Sequence, residues 1–268
     1  MKKLCSLVIC VMALLFAGCE PNAPEVIGVF SVSETKQVTF SPGNLQYHPA
    51  KNKWRFAQSQ LDYIGEANSN CSSSYNGWLD LFGWSTSATY FGVSASDTID
   101  DYLGDFVDWG TNKIDKDAPN TWRTLTKVEW YYLLNTRTNA SDLRGVAQVN
   151  GVNGLIFLPD TWTCPAGVTF KSGFHSFDGA KYYAAYQTFT ANQWAKLEAA
   201  GAVFLPAAGS RHRSNVSHVQ NYSSYWSATE NDENDINYAC DLFFCSYSAY
   251  WSGCFRCYGH SVRLVKDL

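Results

Sequence analysis

A chain of 268 residues with a formal net charge of −4 and only 16% charged residues does not have the composition of a nucleic-acid binder, which carries clustered Lys and Arg. Arg211-His212-Arg213 is its one basic cluster and reads as a solvated or ligand-contacting loop. Aromatic residues at 16%, with many Gly, Ser, Asn and Thr, suit an exported, loop-rich fold with much β structure and a core large enough for one domain.

Met1-Lys2-Lys3 is a short basic head, Leu4 to Phe16 is almost continuously apolar, and Leu15-Phe16-Ala17-Gly18 places small residues directly before Cys19. This pattern predicts a signal peptide over residues 1–18. It resembles the lipobox of bacterial lipoproteins, which implies that Cys19 is the lipidated first residue of the mature protein. Residues 19–25, with Pro21 and Pro24, read as a tether. No later apolar run approaches the roughly 20 residues of a spanning helix. Residues 26–268 read as a single domain, with no internal linker.

Along that domain, residues 34–40 alternate as a strand, Ser41-Pro42-Gly43-Asn44 is a turn, and Trp54-Arg55-Phe56 begins another extended piece. Residues 68–77 form a polar loop. Thr126 followed by Glu129 has capping-box spacing, and Val128, Trp130, Tyr131, Leu133 and Leu134 continue it as a helix with a large apolar face. Leu155-Ile156-Phe157-Leu158 and Val203-Phe204-Leu205 are buried strands halted by Pro159 and Pro206. Between them, residues 191–200 offer a second helix, ended by Gly201. From Tyr225 onward short strands and turns take over.

The segment of about 210–260 carries the most functional information. Eleven aromatics fall between Tyr222 and Tyr258, separated by Ser, Cys, Asp, Asn and Gly. Paratopes share this mixture, because rigid rings supply contact area at low entropic cost and short polar residues supply adaptable hydrogen bonds. An aromatic core hairpin is the competing reading, and the two are compatible on opposite faces of one sheet. The candidate ligand-binding residues are His212, Arg213, Asn215, His218, Asn221, Tyr238, Cys240, Asp241, Phe243, Cys245, Tyr247, Ser248, Tyr250, Ser252, Cys254, Phe255, Cys257, Tyr258 and His260.

Of the nine cysteines, Cys5, Cys10 and Cys19 belong to the signal and anchor, which leaves six. An even number in an exported chain permits disulfides. A hairpin turning near Ala249 would set Cys240 against Cys257 and Cys245 against Cys254. Cys71 and Cys164 read as small buried hydrophobes. Glu230-Asn231-Asp232-Glu233-Asn234-Asp235 is rich in oxygen ligands for Ca²⁺, although a solvated loop is the better reading, and no cofactor is expected. None of the five histidines shows metal-ligand spacing. No Ser, His and carboxylate arrangement declares a hydrolase, and no glycine-rich loop follows a strand.

Trp122-Arg123-Thr124-Leu125-Thr126-Lys127-Val128-Glu129-Trp130 and the closing Ser261-Val262-Arg263-Leu264 resemble signatures of the formylglycine-generating (sulfatase-modifying) branch of the C-type lectin-like fold. Leu158-Pro159-Asp160, Leu205-Pro206-Ala207-Ala208-Gly209 and Tyr225-Trp226-Ser227 extend the likeness to bacterial lipoproteins of that fold. The resemblance implies an α+β domain: two helices against small twisted antiparallel sheets, with long loops presenting a ligand surface.

The C-terminal mixture is similar to the variable proteins of diversity-generating retroelements, whose last segment is mutated at adenines. On that likeness, Ala239, Leu242, Phe244, Ala249, Trp251, Arg256 and Gly259 are frame and the residues between them vary. Enzymes of the formylglycine branch bind copper with two cysteines five positions apart, a spacing Cys240 and Cys245 share. The Gly-Gly-Ser lead-in and the flanking residues of those enzymes are missing here, so ligand display, not catalysis, is the expected function. The expected partners are a protein or glycan ligand on another cell or in the environment and, through the lipid, the membrane; the expected location is the surface of the outer membrane.

Overall fold

Thr126 begins a helix in the way its spacing predicts. In the computed structural model, which describes residues 28–84, 94–231 and 235–268, the Thr126 hydroxyl accepts the Glu129 N–H at 3.2 Å and the Glu129 carboxylate accepts the Thr126 N–H at 2.8 Å. This reciprocal cap satisfies two donors that a helix start leaves orphaned. The helix, α1 (Lys127–Tyr131), runs on into a π-helical turn over Tyr132–Thr136. Glu129 also takes both terminal nitrogens of Arg123, at 2.8 and 2.9 Å, while Arg123 reaches Asp267 at the end of the chain. The expected signal, Cys19 and its tether lie outside the described residues, as do Asp232, Glu233 and Asn234 of the acidic segment.

Strands fall into five small sheets among the described residues. β1 (Phe30–Ser31), β2 (Gln37–Phe40) and β14 (Val265–Asp267) pair antiparallel, and β3 (Leu45–His48) forms a hairpin with β4 (Lys53–Phe56). β5 (Arg144–Val149), β6 (Val152–Phe157), β7 (Thr188–Phe189) and β8 (Val203–Pro206) make a sheet of order β7-β5-β6-β8, in which β5 and β7 run parallel. β9 (Ser210–His212) and β10 (Asn215–Ser217) are a short hairpin. β11 (Ser223–Glu230), β12 (Tyr238–Cys245) and β13 (Ser248–Phe255) form an antiparallel meander. The fold is mixed α+β, and no described helix is long and apolar enough to cross a membrane.

Among the described residues three α-helices are present where two were expected. α3 (Ala191–Ala199) matches the anticipated second helix: Thr190 caps it, and Gly201, at φ +89°, turns the chain out of it. The unanticipated α2 (Ala180–Tyr186) starts at Gly179 with no side-chain cap and is rich in tyrosine, so neither a start signal nor propensity marks it; burial of Tyr183 holds it. The strand expected over 34–40 begins only at Gln37, because the Ser33 hydroxyl accepts the Thr35 and Lys36 N–H groups in a turn. Pro206 ends β8 from within it.

Two apolar clusters support the meander. One joins α1, the four-stranded sheet and one face of β11–β12 through Trp130, Phe157, Leu205, Tyr225, Leu242 and Phe244. The other packs Leu45, Trp54, Phe82, Trp84, Trp226 and Leu264. Each fully buried large apolar side chain contributes about 2 kcal/mol relative to exposure.

Candidate ligand-binding face

Side chains alternate across a strand, so β12 and β13 each present two sets. The register sets Leu242 opposite Trp251 and Phe244 opposite Ala249; Leu242 and Phe244 are wholly buried, and Ala249 packs against them. The alternate positions oppose Asp241 to Ser252, Phe243 to Tyr250 and Ala239 to Cys254. One face is therefore welded to the first cluster; the other packs Ala239, Cys254 and Trp226 into the second cluster at one end and carries Phe243 and Tyr250 at the other.

Two rows of rings cross this region. His218 stacks on Tyr222 at 4.2 Å, Tyr222 meets Phe243 at 5.3 Å, and Phe243 meets Tyr250 at 5.2 Å. At the other end of the sheet Tyr238 lies 4.2 Å from Phe255, which neighbours Tyr258, and Tyr258 stacks on His212 at 4.6 Å. Burial raises the phenols of Tyr222 and Tyr258 above their ordinary value, and charge at Cys254 pushes both the same way. Beside the sheet, Arg213, His218 and Gln220 adopt left-handed backbone at φ +54°, +61° and +65°. Such strain in non-glycine residues gathers where surrounding structure over-determines a functional loop. Arg213 Nε donates to Asp97 at 2.7 Å, holding that carboxyl below the usual range and tying the β9–β10 hairpin to the segment before Tyr102.

The candidate residues divide by burial. Arg213, Asn215, His218, Tyr247, Tyr250 and Phe255 are exposed; His212, Asn221, Tyr238, Phe243, Ser248, Ser252, Cys254 and Tyr258 are partly so. Cys240, Asp241, Cys245, Cys257 and His260 are buried, contrary to their expected place on the ligand surface. For Asp241 and His260 the reason is mutual pairing: Nδ1 of His260 stands 3.3 Å from Oδ2 of Asp241, and the imidazole lies 4.4 Å from the Trp226 ring. Burial disfavours the imidazolium, but charge at Cys254 and the Asp241 carboxylate outweigh it and raise His260 to about 9. Two residues of this region were not among the candidates: Tyr222, counted only among the aromatics of the segment, and Asp97, more than a hundred positions from its partner Arg213.

The cysteine pairings are corrected by the register. The hairpin turns at Ser246 and Tyr247, not near Ala249, so Cys240 faces Gly253, Cys245 faces Ser248 and Cys254 faces Ala239. All six cysteines are free thiols. Cys71 is partly exposed and Cys164 exposed, so neither is the buried hydrophobe expected. Cys240, the third residue of β12, and Cys245, its last, are an odd number of positions apart, on opposite faces and separated by roughly 16 Å at about 3.3 Å per residue. Two thiolates so placed do not share one copper ion. Among the described residues no three His, Cys, Asp or Glu side chains converge on a metal-sized point; the proposed calcium segment lies partly outside those residues, and its Glu230 pairs instead with Arg256 at 3.5 Å.

The expected frame residues hold the face from behind. Arg256 is buried, lies 4.3 Å over the Trp84 ring and donates to the Gly104 carbonyl. Gly259 leaves no room for a side chain, since a Cβ would come 2.9 Å from that of Arg211. Trp251 is only half-buried, with the Lys127 ammonium 4.0 Å over its ring. An open groove of about 560 Å³ is lined by Trp251, Ser252 and Gly253 of β13, by Tyr238 of β12 and by Asn231 and Asp235. No protein-family model matches the chain, and no curated protein and no solved structure matches it.

Proposed function

We propose that this chain is a lipid-anchored ligand-binding protein of the cell envelope, of C-type lectin-like architecture, whose binding surface is the outer face of β11–β13 with the β9–β10 hairpin. The observation that carries the reading is the run of stacked rings His218, Tyr222, Phe243 and Tyr250, held in place by a meander that packs on both apolar clusters. Rigid rings presented on a braced sheet bind with little ordering cost, which is what a display surface needs. The lipobox-like pattern ending at Cys19 supports the anchor, and the residue mixture at the outward positions supports diversification by a retroelement. A protein or glycan on another cell or in the environment is the ligand; no cofactor and no catalytic step enter the proposal.

Deep sequencing of the gene's 3′ end across a cell population tests the diversification. Substitutions should be confined to adenine-bearing codons at the outward positions, with a near-copy template and a reverse transcriptase gene alongside; a uniform end with no template overturns it. The display role has its own test. Tyr247 and Tyr250 are each 47% exposed, so replacing either with Ala should shift stability by about 0.5 kcal/mol or less in urea unfolding while weakening ligand binding at least tenfold. A stability loss near 3 kcal/mol for either would assign these rings to the core.

A further inference from the structure

The groove lined by Trp251 and Gly253 opens on the side of the sheet away from Tyr250. Side chains alternate along a strand, so Trp251 points to the face opposite Tyr250, and the register puts Tyr238 on that same face, across from Phe255. Trp251 and Tyr238 therefore stand roughly 13 Å apart along the sheet, four residues at about 3.3 Å each, with Gly253 midway. Both rings are held from behind. The Lys127 ammonium stands 4.0 Å over Trp251 and the Phe255 ring lies 4.2 Å from Tyr238, yet neither Lys127 nor Phe255 lines the groove. The polar lining is tied to the backbone of Tyr238. The Asn231 N–H donates to the Tyr238 carbonyl at 3.3 Å, and the Tyr238 N–H donates to the Asp235 carbonyl at 3.1 Å. Asp235 is fixed further by its Oδ1, which accepts the Asn237 N–H at 3.0 Å. At Gly253 the Asn231 amide is the nearest group, 3.7 Å from where a Cβ would stand.

We propose that this groove is a second binding site, for a neutral hexopyranose oligosaccharide recognised directly by side chains. A pyranose has an apolar C–H face and a rim of hydroxyls, and the lining matches both. The C–H face packs on the Trp251 ring, a large apolar surface already fixed in place. Hydroxyls of the rim donate to the Asp235 carboxylate and both donate to and accept from the Asn231 amide and the Ser252 hydroxyl. Bonds to the carboxylate are about twice as strong as neutral ones. The described lining holds no Lys or Arg to pair with an acidic sugar, and Asp235 repels one, so the ligand is neutral. Gly253 admits the ring between the two aromatics, and glycine inside a strand is often the mark of a ligand's close approach. An open groove of about 560 Å³ suits the side or end of a short chain. The inference takes from the display reading only that the chain binds a ligand, and it places this one on the other face from Phe243 and Tyr250.

The test is titration of the full chain with maltotriose, cellotriose and mannotriose in EDTA, followed by calorimetry and saturation-transfer NMR. At least one should bind with a Kd of about 1 mM or tighter. Gly253→Val should weaken that binding at least tenfold while leaving the urea midpoint unchanged, because its Cβ meets only ordinary contacts and valine suits a strand. Asp235→Asn keeps the oxygen that Asn237 uses and should weaken binding about threefold or more. Binding of none of the three at about 10 mM overturns the proposal, and so does binding that vanishes in EDTA or that Gly253→Val leaves intact. Sugar binding that Gly253→Val spares and Tyr250→Ala abolishes would put the glycan on the display face, which sinks the groove and leaves the display reading standing.

Discussion

Replacing Trp226 with Ala should cost about 4 kcal/mol in denaturant unfolding, the largest effect expected of any single change in the display region. The side chain is fully buried, in the cluster that joins the β3–β4 hairpin, Phe82, Trp84 and the closing residues Val262 and Leu264. Its loss removes that packing and the indole donation to the Phe82 carbonyl, which keeps the His260 N–H as its donor. It also uncovers one face of His260. The comparison that gives the result meaning is with Tyr250→Ala, a ring on the same meander whose removal should be nearly silent. A loss below about 1 kcal/mol at Trp226 would show that the second cluster does not brace the sheet.

Stability should fall as pH rises from 6.5 toward 9, and the His260 imidazole, held protonated beside Cys254 and Asp241, is the cause. The folded chain holds the imidazole proton to about 9, against an ordinary value of 6.5. Folding therefore favours the protonated form: the contribution is complete below 6.5 and lost as pH rises through 9. Asp241→Asn should flatten this window, because the carboxylate that holds the charge is gone. A lower window has the same sign. Asp80 is completely buried, and burial raises its carboxyl from 3.8 to about 6 against the opposing hydrogen bonds from Asn68 and Ile64. Its neutral form is the one the fold prefers, so that contribution is complete below 3.8 and lost through 6. Urea midpoints taken at half-unit steps from about pH 3.5 to pH 9.5 resolve both. A profile flat above pH 7 in the parent chain would mean that His260 is neutral in the fold.

Local signals were legible where they rest on short-range chemistry. The Thr126–Glu129 box starts α1, Gly201 ends α3, and the runs before Pro159 and Pro206 are buried strands, as their patterns state. The strand-rich character of the chain from Tyr225 onward was legible too, as was a hairpin within it. What escaped depends on distance or register. The β12–β13 turn falls on Ser246-Tyr247, a pair with none of the Gly, Asn or Pro that mark a tight turn, so its centre was misplaced and every cross-strand cysteine partner shifted with it. Asp241 and His260 look like surface residues because polar side chains usually are; only the fold reveals that each buries the other's charge. The Arg213–Asp97 contact joins segments 116 positions apart, and nothing local announces it.

The groove beside β13 owes its shape to a hydrogen atom. Gly253 is the lining residue with no side chain, and its backbone is not in the left-handed region, so the strand itself does not demand glycine there. A Cβ at that position would touch only the side chain of Asn231 and the Ala239 carbonyl, at the ordinary contact distances of 3.7 Å and above. The position is a socket open to any residue: the scaffold stays as it is, and the length, polarity or charge of whatever is installed becomes the floor on which a bound molecule must rest.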